Sequence, residues 1–223
     1  EGNAQTFRLL TRLQITNGQF GLDLTAGTLA ALMKYTVASD QMRKGEHPAM
    51  KKFGFFQGDG DRAQLVFDKV GLKAGQRHPI AYIMEACDDI AYSVIDVEDA
   101  IKKRLVSIND VLVCIRSHGE KYKRLADEIE AKVTTLRADG RAPHEVNDIG
   151  AQYYRTYTIS LMVIEARKAY LANKTAIGEG DFDKNLVTAS EAGSLCESLK
   201  KFALEHAYRS PAVKEIELLG DQF

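Results

Sequence analysis

The chain has 223 residues, of which 45% are hydrophobic and 27% are charged, a composition typical of globular proteins. Its 30 basic and 31 acidic side chains give a formal net charge of -1, so the balance indicates neither a basic nucleic-acid binder nor an acidic disordered tail. The sequence contains no apolar run near the ~18–20 residues that a membrane span requires, and no secretory signal peptide. We therefore expect a cytoplasmic protein that does not enter a membrane.

Cysteine and the two ends of the chain give further expectations. The three cysteines, Cys87, Cys114 and Cys196, form no C-x-x-C pair, which argues against a disulfide framework and against a cysteine zinc site. The sequence begins with Glu1 rather than Met and closes without an obvious terminating element. We expect it to be a piece of a longer polypeptide.

Helical periodicity dominates the chain from its start. The spacing predicts helices over 4–16 and 25–34, the second capped by Thr25, with a break near Asn17 and a loop region over 43–62. Helical pattern resumes at about Ala63, and the longest regular segment is predicted over 79–105, beginning at Pro79. Further helices are predicted over 108–115, 120–136, 153–171 and 190–208, with a break at 140–143 and a turn at 178–181. Because strand-like alternation is weak throughout, we predict an all-α fold.

The helix that starts at Pro79 has a dense group of acidic residues. Its predicted apolar stripe contains Ile80, Ile83, Met84, Cys87, Ile90, Ala91, Val94, Ile101 and Leu105. At about 100° per residue, an acidic ridge falls within an adjoining arc of roughly 80° and comprises Glu85, Asp88, Tyr92, Asp96 and Asp99. Carboxylates stacked one turn apart repel one another unless a cation intervenes. Two interpretations stay open: a solvated face paired with basic side chains from elsewhere, or a metal ligand with substrate-binding neighbours.

The residues of this helix also resemble a known family. The stretches RHP at 77–79, MEACDDIAY at 84–92 and DVED at 96–99 resemble a signature of the bacterial deoxyguanosine triphosphate triphosphohydrolases, which are HD-domain phosphohydrolases. Other matching stretches are EGNAQ at 1–5, LMKYT at 32–36, KKFGFF at 51–56 and the pattern over 210–218. The resemblance is strong over 1–110, patchy over 111–190 and moderate to the end.

The resemblance implies a fold and a reaction. Residues 1–140 would be the later part of an HD-type catalytic bundle, and residues 141–223 a helical extension. The complete protein would hydrolyse a deoxynucleoside triphosphate, dGTP first among them, to the deoxynucleoside and inorganic triphosphate. Since family members assemble into closed oligomers, a homo-oligomer is expected.

Three of the implied roles fall on the acidic ridge. Asp88 matches the last ligand of a divalent metal ion, Mg²⁺ or Mn²⁺. Tyr92 matches the ring that packs on the deoxyribose and leaves no room for a 2′-hydroxyl, and Asp96 matches the carboxylate that accepts from the 3′-hydroxyl.

Five further residues are implied in substrate binding. Lys34, Tyr35 and Lys52 match groups that hold the triphosphate, and lysine suits phosphate as a compact charge on a flexible stem. Asn3 lies where the family lines its substrate pocket. Arg155 either reaches phosphate or pairs with a carboxylate.

The chain departs from the family pattern at one point. It contains no His-Asp dipeptide, and the family's catalytic His and Glu match positions before Glu1, so we predict no catalytic residue in this chain and no activity for it alone. The histidines at 47, 78, 118, 144 and 206 are predicted to be structural or solvated. Two alternatives remain: an HD-type phosphohydrolase acting on another nucleotide, and a non-catalytic helical module that binds a basic partner.

Overall fold

A computed structural model describes residues 2–14, 18, 20–43, 47–73 and 75–220. Within these residues the fold is all-α, as predicted, with one isolated bridge between Ala38 and Phe55 in place of any strand. The helices are α1 Gly2–Arg8, α2 Ala26–Leu32, α3 Gly60–Val70, α4 Pro79–Lys102, α5 Ile108–Arg116, α6 Glu120–Ala138, α7 Pro143–Ala172, α8 Lys174–Glu179, α9 Gly193–Ala203 and α10 Pro211–Gly220. Over the same residues, no helix combines the length and apolar character needed to cross a membrane.

The chain forms two compact units. The first comprises Glu1–Ala86 with Ala169–Leu186, and the second comprises Cys87–Lys168 with Val187–Phe223. The long helices α4 and α7 each contribute residues to both units. The division predicted at residues 140 and 141 falls within the second unit, and it stays a prediction.

The first unit is built around an aromatic core. Phe55 lies at the centre, with its ring centroid 6.2 Å from those of both Phe7 and Phe67. The buried carboxylate of Asp59 accepts hydrogen bonds from Arg8 at 2.9 Å and from Arg12 at 2.6 Å. Arg8 directly precedes a π-helical turn at Leu9–Leu13 and Arg12 lies within it, so their bonds to Asp59 hold the end of the first helical segment in place.

The second unit packs helices α5, α6, α7 and α9 around buried aliphatic side chains. Helix α5 begins with a capping box, since the hydroxyl of Ser107 accepts from the Asp110 amide and the Asp110 carboxylate accepts from the Ser107 amide. Gly150 lets α7 approach its neighbours, because a Cβ there would lie 3.1 Å from Val133 and 3.3 Å from Ile108. The fully buried side chains of this unit include Leu112, Ile115, Ile129, Met162, Leu195 and Leu199.

Several boundaries differ from the predicted ones. The break predicted at 140–143 is present, since α6 ends at Ala138 and α7 begins at Pro143. Helix α7, with 30 residues, is longer than the 24-residue α4, because it begins at Pro143 and not at residue 153 as predicted. The turn predicted at 178–181 is wrong, since α8 extends to Glu179 and the chain reverses only at Gly180, which has a positive φ of 81°. The break predicted near Asn17 lies outside the described residues.

The buried face of α4 also differs from the predicted stripe at its N-terminal end. Ile80 and Ile83 are exposed, whereas Tyr82 and Glu85 are buried. The physical reason is that distant polar groups satisfy both: the Tyr82 hydroxyl donates to the carbonyl of Phe182 at 2.6 Å, and Arg77 donates to Glu85.

Candidate functional site

The C-terminal part of α4 presents three of the predicted site residues on successive turns. Asp88 and Tyr92 are exposed, with 61% of Tyr92 accessible to solvent, and Asp96 is half-buried. Residues four apart on a helix lie on one face, so the carboxylate, phenol and carboxylate form a row. We call Asp88, Tyr92 and Asp96 the carboxylate row.

A fourth side chain joins the carboxylate row from the far end of the sequence. The Tyr208 hydroxyl donates to Asp96 Oδ2 at 2.7 Å. This hydrogen bond, together with partial desolvation, raises the pKa of Tyr208 to about 12, because deprotonation would place a second negative charge beside the carboxylate. Tyr208 ends a π-helical turn at Leu204–Tyr208, and such turns are frequent at functional sites.

Basic side chains neutralise two acids that neighbour the row. Lys200 Nζ lies 3.0 Å from Asp89 Oδ1; burial opposes the charge on this lysine, but its bond to Asp89 outweighs burial and raises the pKa of Lys200. Arg155 Nη1 donates to both oxygens of the buried Glu98, at 3.0 and 3.1 Å. Asp89 and Glu98 lie outside the predicted acidic ridge. Within the ridge, the interpretation of a face paired with basic side chains holds for Glu85, which is paired with Lys34 and Arg77. Of the two roles considered for Arg155, pairing with a carboxylate is observed, and phosphate contact stays a prediction.

In the first unit, two other predicted residues line one narrow cleft. Asn3 on α1 and Lys34, just past the end of α2, share this cleft with Phe7, Met33 and Gly54. The predicted cap of α2 is present, since Thr25 accepts from the Thr28 amide. Lys34 is largely buried, and its Nζ lies 3.3 Å from Glu85 Oε1. Its ammonium group is therefore held in a defined position at the cleft.

Gly54 brings the two lysine-bearing stretches together. A Cβ at this position would lie 1.8 Å from the carbonyl oxygen of Tyr35, so only glycine permits this approach of the two backbones. The Gly54 amide also donates to the Val37 carbonyl at 3.0 Å. The side chain of Tyr35 is buried, and that of Lys52 is exposed two residues before Gly54. The contacts predicted for Tyr35 and Lys52 with phosphate stay predictions.

The chain is similar in sequence to known proteins of the kind that its motifs resemble. A Listeria monocytogenes deoxyguanosinetriphosphate triphosphohydrolase-like protein is 30% identical over 226 residues, covering 100% of this chain and 47% of the relative. A Yersinia enterocolitica deoxyguanosinetriphosphate triphosphohydrolase is 29% identical over 99% of this chain and 44% of its own length, and a Synechocystis triphosphohydrolase-like protein is 29% identical over 99% and 49%. The resemblance to these triphosphohydrolases is confirmed. The chain spans about half the length of the curated relatives it matches, and no family model matches it.

The triphosphohydrolase resemblance implies a metal, and the described residues supply one suitable donor. Carboxylate oxygen is the ligand type that Mg²⁺ and Mn²⁺ prefer, and Asp88 offers it on an exposed helix face. Among the described residues, however, no group of three or more His, Cys, Asp or Glu side chains could hold a metal ion. The described residues therefore do not by themselves form a metal site, and the role of Asp88 as a metal ligand stays a prediction.

Three of the histidines act locally, as predicted. His47 Nδ1 accepts from the Ala49 amide at 3.1 Å, and His78 Nδ1 accepts from the Ile80 amide at 3.3 Å. Burial, with the nearby charge of Arg77, lowers the pKa of His47 and favours the neutral acceptor form. His118 packs against the ring of Tyr122, with centroids 6.2 Å apart.

Proposed function

We propose that the complete protein hydrolyses a deoxynucleoside triphosphate, dGTP first among them, to the deoxynucleoside and inorganic triphosphate. The observation that supports this best is the carboxylate row on α4, in a chain similar along its whole length to proteins named as deoxyguanosinetriphosphate triphosphohydrolases. An HD-type bundle, a homo-oligomer and a cytoplasmic location belong to the same proposal.

The carboxylate row offers suitable chemistry for a deoxyribose. The exposed ring of Tyr92 provides a flat apolar surface for the sugar, and a 2′-hydroxyl packed against it would lose its hydrogen bonds to water. One turn further, Asp96 accepts from the 3′-hydroxyl. The hydrogen bond from Tyr208 engages Oδ2 and leaves Oδ1 with its lone pairs, so Asp96 can accept from both hydroxyls.

The phosphates are assigned to cationic and polar side chains that match the family's phosphate-binding groups. Lys34 and Lys52 supply positive charge, while Asn3 and the Tyr35 hydroxyl supply hydrogen bonds. Arg155 is a further candidate for phosphate contact. A divalent ion, Mg²⁺ or Mn²⁺, with Asp88 as one ligand would supply Lewis acidity at the α-phosphate and an activated water.

Substrate turnover tests this proposal directly. The intact natural protein should be supplied with Mn²⁺ or Mg²⁺ and offered the four deoxynucleoside triphosphates and the four ribonucleotides, with products followed by ³¹P NMR. We expect intact triphosphate from dGTP and little turnover of GTP. Release of monophosphate or diphosphate would indicate another phosphohydrolase reaction, and turnover of a different nucleotide alone would move the assignment to that base.

A binding experiment separates the enzyme from a helical interaction module. A protein whose acidic ridge binds a basic partner should bind polylysine through Asp88 and Asp96. It should hydrolyse no nucleotide, and its binding of polylysine should not require a metal ion. Our proposal would be contradicted if the parent protein hydrolysed no nucleotide but bound polylysine, and if Asp88→Ala weakened that binding.

A further inference from the structure

The first unit contains a chain of three charges. Arg77 is 2% exposed and Glu85 is 6% exposed. Arg77 Nη1 donates to Glu85 Oε2 at 2.8 Å, and Lys34 Nζ lies 3.3 Å from Glu85 Oε1. Each oxygen of one buried carboxylate therefore faces a different cation. We call Arg77, Glu85 and Lys34 the charge chain.

Arg77 makes few of the hydrogen bonds that its guanidinium group could donate, so its positive charge is its more important property in this environment. Its guanidinium carbon lies 5.5 Å from the centroid of the Tyr82 ring. Within the described residues, the buried Nε and Nη2 atoms have no hydrogen-bond partner. Such unsatisfied donors cost stability, and apolar side chains of similar volume often replace buried ion pairs without loss. Fold stability alone therefore gives a weak reason for arginine at this position.

The sum of the charges provides a stronger reason. Lys34 and Glu85 together are neutral, whereas the addition of Arg77 gives the charge chain a net charge of +1. A polyphosphate near Lys34 would meet little net attraction if Glu85 were uncompensated. With Arg77 present, Glu85 can hold the ammonium group of Lys34 without cancelling its attraction for an anion.

We propose that Arg77 is a positioning residue of a polyphosphate-binding site. It neutralises Glu85, and Glu85 in turn fixes Lys34 at the cleft that Asn3 also lines. Arg77 does not contact the ligand itself, since it is almost completely buried. The inference rests on the proposed function through the role of Lys34, and it adds two residues to that role.

The test is the binding of inorganic triphosphate to charge variants of the intact protein, by calorimetry at several salt concentrations. Arg77→Met reduces the charge chain to zero, and we expect triphosphate to bind about tenfold more weakly, an effect typical of one lost interaction with a charged group. Its salt dependence should also become shallower. The double variant Arg77→Met/Glu85→Gln restores the charge of +1, and the amide oxygen of Gln can still accept a hydrogen bond from Lys34 and hold it at the cleft. It should therefore bind within about twofold of the parent, as should Arg77→Lys. Equal binding by Arg77→Met, or failure of the double variant to recover, would overturn the inference.

Two controls separate this role from a structural one. Arg104→Met removes one positive charge from an exposed pair with Asp148 and should leave triphosphate binding unchanged. Deoxyguanosine, which lacks phosphate, should bind the parent and Arg77→Met equally. If Arg77→Met does not fold, Arg77→Lys and the double variant still decide, because a tenfold loss in either contradicts the charge argument.

The same data distinguish the two proposals. A parent protein that neither binds triphosphate nor hydrolyses a deoxynucleotide contradicts the proposed function. A parent that does both, with Arg77→Met unaltered in triphosphate binding, contradicts the role of Arg77 alone.

Discussion

The two units place charge in opposite environments. The carboxylate row of the second unit is largely open to solvent, whereas the charge chain of the first unit lies mostly below the surface. Exposed carboxylates are available for direct contact with a metal ion or a sugar hydroxyl. Buried charges act instead by holding one another and by setting the local electrostatic potential. A substitution in the row should therefore change ligand chemistry, while one in the first unit should also change stability.

The largest effect is expected at Asp88. Asp88→Ala should abolish Mn²⁺ binding by the intact protein and lower turnover by at least about 100-fold, because the metal loses an oxygen ligand. Isothermal titration with Mn²⁺ measures the first effect. Asp99→Ala, which removes another exposed carboxylate of α4, is the matched control and should leave metal binding intact. Unchanged metal binding in Asp88→Ala would contradict the proposal that the carboxylate row supplies a metal ligand.

The next largest effect is expected at Gly54. Gly54→Ala would place a Cβ against the Tyr35 carbonyl and force the two backbones apart, which should lower the free energy of unfolding by about 2–4 kcal/mol. Urea denaturation followed by circular dichroism measures this change. Gly60→Ala is the control, because a Cβ there meets no atom within 4 Å and its helical φ of −59° suits alanine. Equal stability of the two variants would show that the close approach is not required.

Tyr92 should show a smaller effect that is confined to substrate choice. Tyr92→Ala should lower the preference for dGTP over GTP by about tenfold, since an exposed ring contributes little to the fold but excludes the 2′-hydroxyl. The ratio of kcat/KM for the two nucleotides gives the result. Ile95→Ala, another exposed side chain of α4, should keep the parent's ratio. A loss of activity toward both nucleotides in equal proportion would contradict the sugar contact.

The smallest effect is expected at Tyr208. Because its folded pKa of about 12 exceeds the ordinary value of 10.0, its contribution to stability is present below pH 10 and declines as the pH rises toward 12. Burial also raises the pKa of Tyr82, Tyr122 and Tyr154, so absorbance titration at alkaline pH should show several late-ionising tyrosines, with one fewer in Tyr208→Phe. The same variant should raise KM for dGTP only a few-fold, because Asp96 retains its second oxygen. Normal ionisation of Tyr208 would mean that its bond to Asp96 does not form in solution.

A local sequence signal predicted the start of α2 well. Thr25 caps this helix as expected, because the cap bonds an amide only three residues ahead. The predicted start of α7 at residue 153 and the predicted turn at 178–181 were wrong, since Pro143 and Gly178 are compatible with the first and last turns of a helix and packing decides whether the helix continues. The similarity to triphosphohydrolases was also readable from short motifs.

Helical geometry was enough to align Asp88, Tyr92 and Asp96, because residues four apart share a face whatever surrounds them. The sequence contained no comparable signal for Tyr208, which lies 112 residues from Asp96, or for the burial of Glu85, which depends on Arg77 and Lys34. Periodicity describes one helix and its neighbours along the chain. Only the tertiary structure decides which distant side chain reaches a carboxylate, and that partner determines whether the charge is solvated, hydrogen-bonded or neutralised.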